Sequence, residues 1–367
     1  MSPPFDAVLV VSFGGPLGVD DVRPFLANVL RGRRVAAARV EAVVEHYLHF
    51  EGISPITRWT FLQAAGLSAR LARSGPALPV YVGMRNWQPF LHETLAEMAR
   101  DGVRRAVAFV TAAHRSYASC GQYKQNVADA RAHLKRLGLP DVEVQFVGDW
   151  HLDDGFVSAN AMNLAAALKK LPEGLAAEAE VLFTAHSIPT AMAANSQYVA
   201  NLEACAAAVM RRLDRGLRAR LVYQSRSGRP EDPWLEPDVL VALSEAQARG
   251  CKAVVLAPIG FVSDHVEVLH DLDHEAAAHA EALGLRMVRA STVNDHPLFL
   301  DLMADKVREC WARRAERVRL PIVSGAPSQP EGLPLSAPAV TWLKGRVDRV
   351  AVASIAVGQV VHRGAGC

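Results

Sequence analysis

Val181-Leu182-Phe183-Thr184-Ala185-His186-Ser187-Ile188-Pro189 is the stretch on which the reading of this chain turns. A short apolar run ends, and a histidine stands just past it, where a buried strand should stop. The same kind of run recurs along the chain. Ala7–Ser12, Val80–Met84, Ala106–Thr111, Val142–Val147, Arg220–Gln224 and Ala253–Pro258 read as buried strands with Val181–Thr184, and Arg286–Ala290 as a further one. Amphipathic stretches separate them: Phe90–Arg100, Ser158–Lys170, Tyr198–Arg212, Pro237–Arg249 and Asp271–Leu283. Strand–helix alternation predicts βαβ units and parallel sheets.

The runs divide near residue 150, about four strands to each side, which predicts two Rossmann-like α/β lobes with a cleft between them. The expected organisation is a first lobe over residues 1–150 and a second over 151–297 carrying the metal site. A helix over 298–320 packs back on the first lobe, and a Pro/Ser/Gly-rich linker and tail fill 321–367.

The 367 residues are half apolar, enough for a large core, and the net charge of +2 gives no global field for nucleic acid. No stretch has the roughly 18 uncharged apolar residues of a membrane span. The opening MSPPFDAVLVVS runs straight into a glycine turn, which suits a first strand better than a signal peptide. Five scattered cysteines, an odd number without a Cys-x-x-Cys pair, argue against a disulfide framework or structural zinc. A reducing cytoplasm is the expected location.

A second informative segment follows the run Ala253–Pro258. It reads Gly260-Phe261-Val262-Ser263-Asp264-His265-Val266-Glu267-Val268-Leu269-His270-Asp271. Asp264, Glu267, Asp271 and Glu275 recur at spacings of three and four, which on a helix places four carboxylates on one face. A solvated acidic face is the ordinary meaning of such a pattern. A path for a hydrated divalent cation is the sharper one, with His265 and His270 as nitrogen ligands nearby and a local π-turn aligning Glu267, Asp271 and Glu275. An imidazole such as His186 facing these carboxylates at a sheet rim can hold a divalent metal, move protons, or do both.

Other loops suit a flat, acidic ligand. Arg31-Gly32-Arg33-Arg34 offers guanidinium groups for carboxylates, although a solvated helix end is the commoner meaning. Glu51-Gly52-Ile53-Ser54-Pro55 and the hydroxyl-rich Ser116–Tyr123 offer hydroxyls that otherwise serve as local caps. Trp234, in Pro233-Trp234-Leu235-Glu236-Pro237-Asp238, is either a core residue or a pocket wall.

SFGGP at 12–16, GISP at 52–55, AHSIP at 185–189, QSRSG at 224–228, PWLEPD at 233–238 and GFVSDHVEVLHDLDHE at 260–275 together resemble the ferrochelatase family. The resemblance runs in order from about Val8 to Arg313. It implies two chelatase-type lobes clamping a porphyrin, and insertion of Fe2+ with release of two protons. His186 and Glu267 match the family's metal-binding and proton-accepting pair. Asp264 and His265 match their neighbours, Asp271 and Glu275 the acidic row proposed as the metal's route, and Trp234 a pocket aromatic.

Within the family the chain is most similar to the coproporphyrin III branch of Gram-positive, actinobacterial-type bacteria. Ser54 and Tyr123, and more loosely Arg31, match propionate-binding positions there. Phe13 replaces a tyrosine that ligates iron in some relatives and cannot do so itself. Asn86 stands where others have histidine. Cys120 matches one ligand of the [2Fe–2S] cluster of some relatives, but the tail holds only Cys367, so no cluster and no other tightly bound cofactor is expected. The expected partners are the porphyrin and ferrous iron, with transient contact to neighbouring haem-pathway enzymes, in a monomer. The alternatives are a protoporphyrin IX enzyme, a non-catalytic tetrapyrrole or haem carrier, and a cobalt or nickel chelatase. Retention of both His186 and Glu267 argues against the carrier, and the 260–275 segment argues against the last.

Overall fold

The computed structural model describes residues 3–32, 35–114, 121–228 and 231–319. Arg33, Arg34, Ser116, Tyr117, Ser119, Cys120, Cys367 and the tail from 320 onward lie outside the described residues. Eight strands form two parallel sheets. The first contains β1 (Ala7–Ser12), β2 (Val80–Met84), β3 (Arg105–Val110) and β4 (Glu143–Phe146), in the order β2-β1-β3-β4. The second contains β5 (Glu180–His186), β6 (Ala219–Gln224), β7 (Ala253–Ala257) and β8 (Arg286–Arg289), in the order β6-β5-β7-β8.

Several strands are apolar on both faces because helices cover both, including β2 at a sheet edge. Every residue of β1, β2 and β7 is buried, the pattern of a parallel sheet rather than a half-solvated antiparallel one. Of the edge strands, β4 and β8 are only partly buried and carry charge, which discourages further pairing. The fold is therefore mixed α/β with two four-stranded parallel sheets flanked by helices.

The helices that matter for the site are few. Helix α1 (Val19–Val29) and helix α2 (Ala37–Leu48) lie between β1 and β2, followed by α3 (Ile56–Ser74). Val22, Phe25 and Leu26 of α1 and Val44 and Tyr47 of α2 share one apolar cluster with Val266, so these helices are seated against the segment after β7. The C-terminal helix Pro297–Arg319 lies along α3, where Arg70 pairs with Asp301. It also meets the helix Asp154–Leu168, where a Cβ on Gly155 would come within 2.5 Å of the Leu298 carbonyl.

Residues 266–282 are continuously helical, and Leu269–Ala276 in their middle is a π-helix. The π-turn therefore falls on the acidic row. The helix does not begin early enough to include Asp264: His265 is the N-cap and Val266 the first helical residue. Asp264 consequently leaves the four-carboxylate face that its spacing suggested.

Candidate functional site

In open parallel sheets, ligands bind beyond the carboxyl ends of the strands where the strand order reverses. In the second sheet that point lies between β5 and β7. His186 is the last residue of β5, and the loop to Glu267 leaves β7. The two segments therefore meet at the switch point.

Contact between them is close and depends on Gly260. Its N–H donates to the Thr184 carbonyl at 3.0 Å, and a Cβ there would stand 2.6 Å from the Ala185 Cα. With no side chain at 260, the loop lies directly on the end of β5. His186 Nε2 and Glu267 Oε2 are then 4.0 Å apart, both partly exposed. The gap leaves room for a proton or a metal ion between them.

The His186 ring is oriented from behind. Its Nδ1 hydrogen-bonds the Ser187 carbonyl. A carbonyl only accepts, so Nδ1 carries the hydrogen and a neutral ring presents the Nε2 lone pair to Glu267. The Tyr198 hydroxyl donates to the His186 carbonyl at 3.0 Å and holds the strand end. Glu267, in the first turn of its helix, is partly exposed. His265 caps that helix, its Nδ1 accepting from the Val268 N–H at 3.4 Å. Burial lowers the pKa of the His265 imidazole, so it stays neutral and serves as a support beside Glu267.

The acidic row divides into parts with different surroundings. Asp264 does not join it: one carboxylate oxygen accepts from Arg289 at 3.0 Å and Thr292 at 3.2 Å, the other from Asn294 at 3.1 Å. Asp264 thus has three partners that tie it to the end of β8 and the segment after it, apart from the rest of the row. Asp271 is partly buried and accepts from the Ser225 hydroxyl and from Gln224 Nε2 at 3.2 Å. Burial works to raise its pKa, but hydrogen bonds from His270, Ser225 and Gln224 prevail and hold it below the ordinary carboxylate value. Glu275 is exposed, with Oε1 3.8 Å from His270 Nδ1. Glu267 and Glu275 are thus the open carboxylates of the row, with ionised Asp271 set between them.

The second-sheet wall is tied to the His186 loop. Trp234 pairs with Pro189, and the Leu235 N–H donates to the Ile188 carbonyl at 3.0 Å. The indole lies so close over Gly228 that a Cβ there would fall 2.1 Å from its Nε1. Trp234 is therefore a fixed, half-buried plate beside His186.

On the first sheet, Phe13 follows β1 and meets Phe25 edge-on at 6.3 Å. Phe25 also contacts Tyr47 at 5.6 Å and Trp87 at 6.3 Å, so the partly exposed Phe13 and Trp87 are backed by the buried Phe25 and Tyr47. Arg31 is exposed and bonds Asn28, which bonds the Asn86 carbonyl; the Asn86 N–H in turn donates to Phe13. The guanidinium is thereby linked to the rim that carries Phe13. Ser54 and Tyr123 are buried, at 2% and 6% exposure: Ser54 lies under Gly15, and Tyr123 is in the core on the other face of the first sheet. Both hydroxyl-bearing residues therefore lie below the surface.

Several residues here carry no motif of their own. His114 Nε2 donates to the Ile259 carbonyl at 2.9 Å, joining the end of β3 to the loop after β7. Gln63 on α3 reaches Ser263 at 3.0 Å and the Asn294 carbonyl at 2.7 Å. Neither has a sequence signal, because each acts across 145 residues or more.

Comparison with known proteins agrees with this geometry. The Ferrochelatase family model matches residues 5–310. The chain belongs to the ferrochelatase family. It is 44% identical over 327 residues to a Ferrochelatase of Rhodopirellula baltica, covering 87% of this chain and 90% of that one. It is 44% identical over 335 residues to the Coproporphyrin III ferrochelatase of Streptomyces griseus, covering 86% and 89%. The Coproporphyrin III ferrochelatase of Frankia alni is 45% identical over 315 residues, covering 83% and 79%. Among solved structures, SirB from Bacillus subtilis with Fe3+ shares the fold, with a TM-score of 0.52 at 14% identity, over 85% of this chain and 98% of that one. This member of the family is an enzyme of haem biosynthesis that inserts a metal into a porphyrin, with iron as its substrate. No helix among the described residues is long and apolar enough to cross a membrane.

Proposed function

We propose that this ferrochelatase inserts Fe2+ into coproporphyrin III, giving coprohaem III, and that His186 and Glu267 carry the metal and the protons. The observation that carries the reading is the pair at the switch point, Nε2 to Oε2 at 4.0 Å, in a chain that is 44% identical to a relative named for coproporphyrin III.

A free porphyrin resists metallation because two N–H protons occupy its centre and the ring is stiff. The enzyme has to bend the ring, take the protons and deliver a partly desolvated ion. The Nε2 lone pair of His186 accepts a proton or ligates iron, and Glu267 does the same from the facing side. Within 4.0 Å the two act as one coupled acceptor, so their protons belong to the pair. Asp271 and Glu275 lead toward this pair along the π-helix. They replace the water of the incoming ion stepwise with carboxylate oxygens.

The aromatic wall around Phe13 and the Trp234 plate supply flat faces for the ring. Coproporphyrin III has four propionates against two in protoporphyrin IX, so each added carboxylate calls for a rim partner. The exposed guanidinium of Arg31 suits that need, since arginine pairs bidentately with carboxylates. Of the two hydroxyls expected to meet propionates, Ser54, packed under Gly15 just past β1, is the one placed near that rim, whereas Tyr123 lies in the core on the other face of the sheet. Cys310, inside the C-terminal helix, is buried beside Arg313, which fits a packing thiol better than a cluster ligand.

Fluorescence quenching of each porphyrin by the metal-free chain and by Arg31→Ala tests the substrate. The reading predicts tighter binding of coproporphyrin III, and a larger loss for it than for protoporphyrin IX in the variant. Equal losses, or a preference for protoporphyrin IX, would move this chain to the other substrate.

A further inference from the structure

At the rim of the site, one guanidinium reaches from the first-sheet side to the second-sheet wall. Arg39, in the first turn of α2, is exposed, and its Nη2 donates to the Arg226 carbonyl at 3.4 Å, across 187 residues. The loop that receives it belongs to the wall beside His186. Its Gln224 and Ser225 bond Asp271, Arg226 donates to the Asp232 carbonyl at 2.8 Å, and Gly228 lies under the Trp234 indole. Helix α2 is fixed as well: Val44 and Tyr47 share an apolar cluster with Val266, the neighbour of Glu267. From Val44 to Arg39 is about 7.5 Å along the helix. Arg39 is thereby held at the edge of the site rather than over its centre.

This guanidinium is unspent, unlike its neighbour on α1. Arg23 pairs with Glu41 through two hydrogen bonds of 2.8 Å. Among the described residues Arg39 has no carboxylate partner, only one long bond to a neutral carbonyl. The first turn of a helix is also where a cation is disfavoured, and no acidic residue stands in that turn of α2. Burial is the chief cause that lowers the pKa of His46, two turns along; Arg39 adds to it and Glu267 opposes it. The guanidinium and the Glu267 carboxylate therefore both act on the same imidazole. A carboxylate arriving here offers Arg39 a charge-assisted, two-pronged bond in place of the single contact.

We propose that Arg39 exchanges the Arg226 carbonyl for a propionate of the porphyrin, which makes it a specificity-determining residue of this enzyme. The inference rests on the reading that the site takes a propionate-bearing ring. Arg31 and Arg39 then serve separate parts of the rim. Arg31 is linked through Asn28 to the side that carries Phe13, and Arg39 reaches the wall that carries Trp234. The exchange gives up one exposed hydrogen bond, and departure of the ligand restores it. The empty site is bridged from α2 to the loop after β6, and the filled one is not.

Porphyrin titrations of the full metal-free chain at several salt concentrations test this, with coproporphyrin III, protoporphyrin IX and the variants Arg39→Ala and Arg39→Lys. Arg39→Ala should melt like the wild type, since an exposed helical position accepts alanine. It should bind the tighter of the two porphyrins about fivefold more weakly, the upper end of what an exposed ion pair contributes, and should lose affinity less steeply as salt is added. Arg39→Lys keeps the charge without the fork, so it should recover the salt dependence and part of the affinity. Binding by Arg39→Ala as tight as the wild type, or tighter, would overturn the proposal and leave Arg39 a tie between α2 and the loop after β6. Weaker binding with an unchanged salt dependence would overturn it too, because the lost tie and not the lost charge would then be the cause. The loss is read on whichever porphyrin binds more tightly, so a preference for protoporphyrin IX sinks only the substrate assignment. Binding of neither porphyrin by the wild type would sink both.

Discussion

His114 shows how a single side chain couples the two sheets. It is 2% exposed and donates to the Ile259 carbonyl, and burial pushes its imidazole down to about 4. The folded state therefore keeps it neutral where the unfolded chain protonates near pH 6.5. Its contribution is fully present above that pH and is lost as pH falls toward 4, by about 3 kcal/mol in all. Urea unfolding at pH 7.5, 6 and 5 should show a steeper acid loss in the wild type than in His114→Gln, which keeps a donor and removes the titration. Identical slopes would remove His114 from the account. Gly260 makes a second prediction at this scale. A Cβ would meet Ala185 at 2.6 Å, so Gly260→Ala should lower stability by about 1–3 kcal/mol, as overpacking does. It should also widen the His186–Glu267 gap, so that insertion falls further than the thermal shift explains.

At the scale of elements, the segment after β7 carries carboxylates of two kinds, those paired with Arg289 and those left open. Asp264 and Asp273 hold the buried guanidinium of Arg289, with Asp264 at 3.0 Å. Asp273 still pairs with Arg289 in Asp264→Ala, but Thr292 and Asn294 lose their acceptor, so the change should cost about 1–3 kcal/mol in urea unfolding. Glu275 is exposed and has no such duty. Glu275→Ala should leave the melting temperature unchanged and raise the KM for Fe2+ about tenfold, in line with losses seen around metal sites. If Asp264→Ala instead melts like the wild type and loses only metal affinity, the division is wrong.

The same segment marks what can be read from residue order. Uninterrupted apolar runs revealed the strands because both faces are covered, and β1 and β2 fall on the expected bounds. The starts of charged strands were hidden. Glu180 opens β5 while buried, and this is tolerated because Arg220 and Arg249 reach it at 3.2 and 2.8 Å from later elements. The π-turn was legible from the acidic spacing, whereas Asp264 falls before the helix and its partners, Arg289, Thr292 and Asn294, are 25 or more residues away and had no local pattern. His46 and His114 had no local pattern at all, and only the fold gives them neighbours.

For the whole molecule, the central feature is the repeated strand order. Each sheet runs with its first strand between the second and the third, so each has one switch point at its carboxyl edge. The second sheet places His186 and Glu267 there; the first places Phe13 and its aromatic neighbours at the end of β1. One edge thus carries an imidazole and a carboxylate and the other a set of aromatic rings, the arrangement on which the proposed division of labour toward a planar tetrapyrrole rests. The most direct measurement is anaerobic Fe2+ insertion followed by absorbance. It would set coproporphyrin III beside protoporphyrin IX for the wild type, His186→Ala and Glu267→Gln. The account predicts turnover that favours coproporphyrin III and falls at least about a hundredfold in each variant, within the range a positioned acid–base group contributes. Turnover in either variant close to the wild-type rate would contradict it.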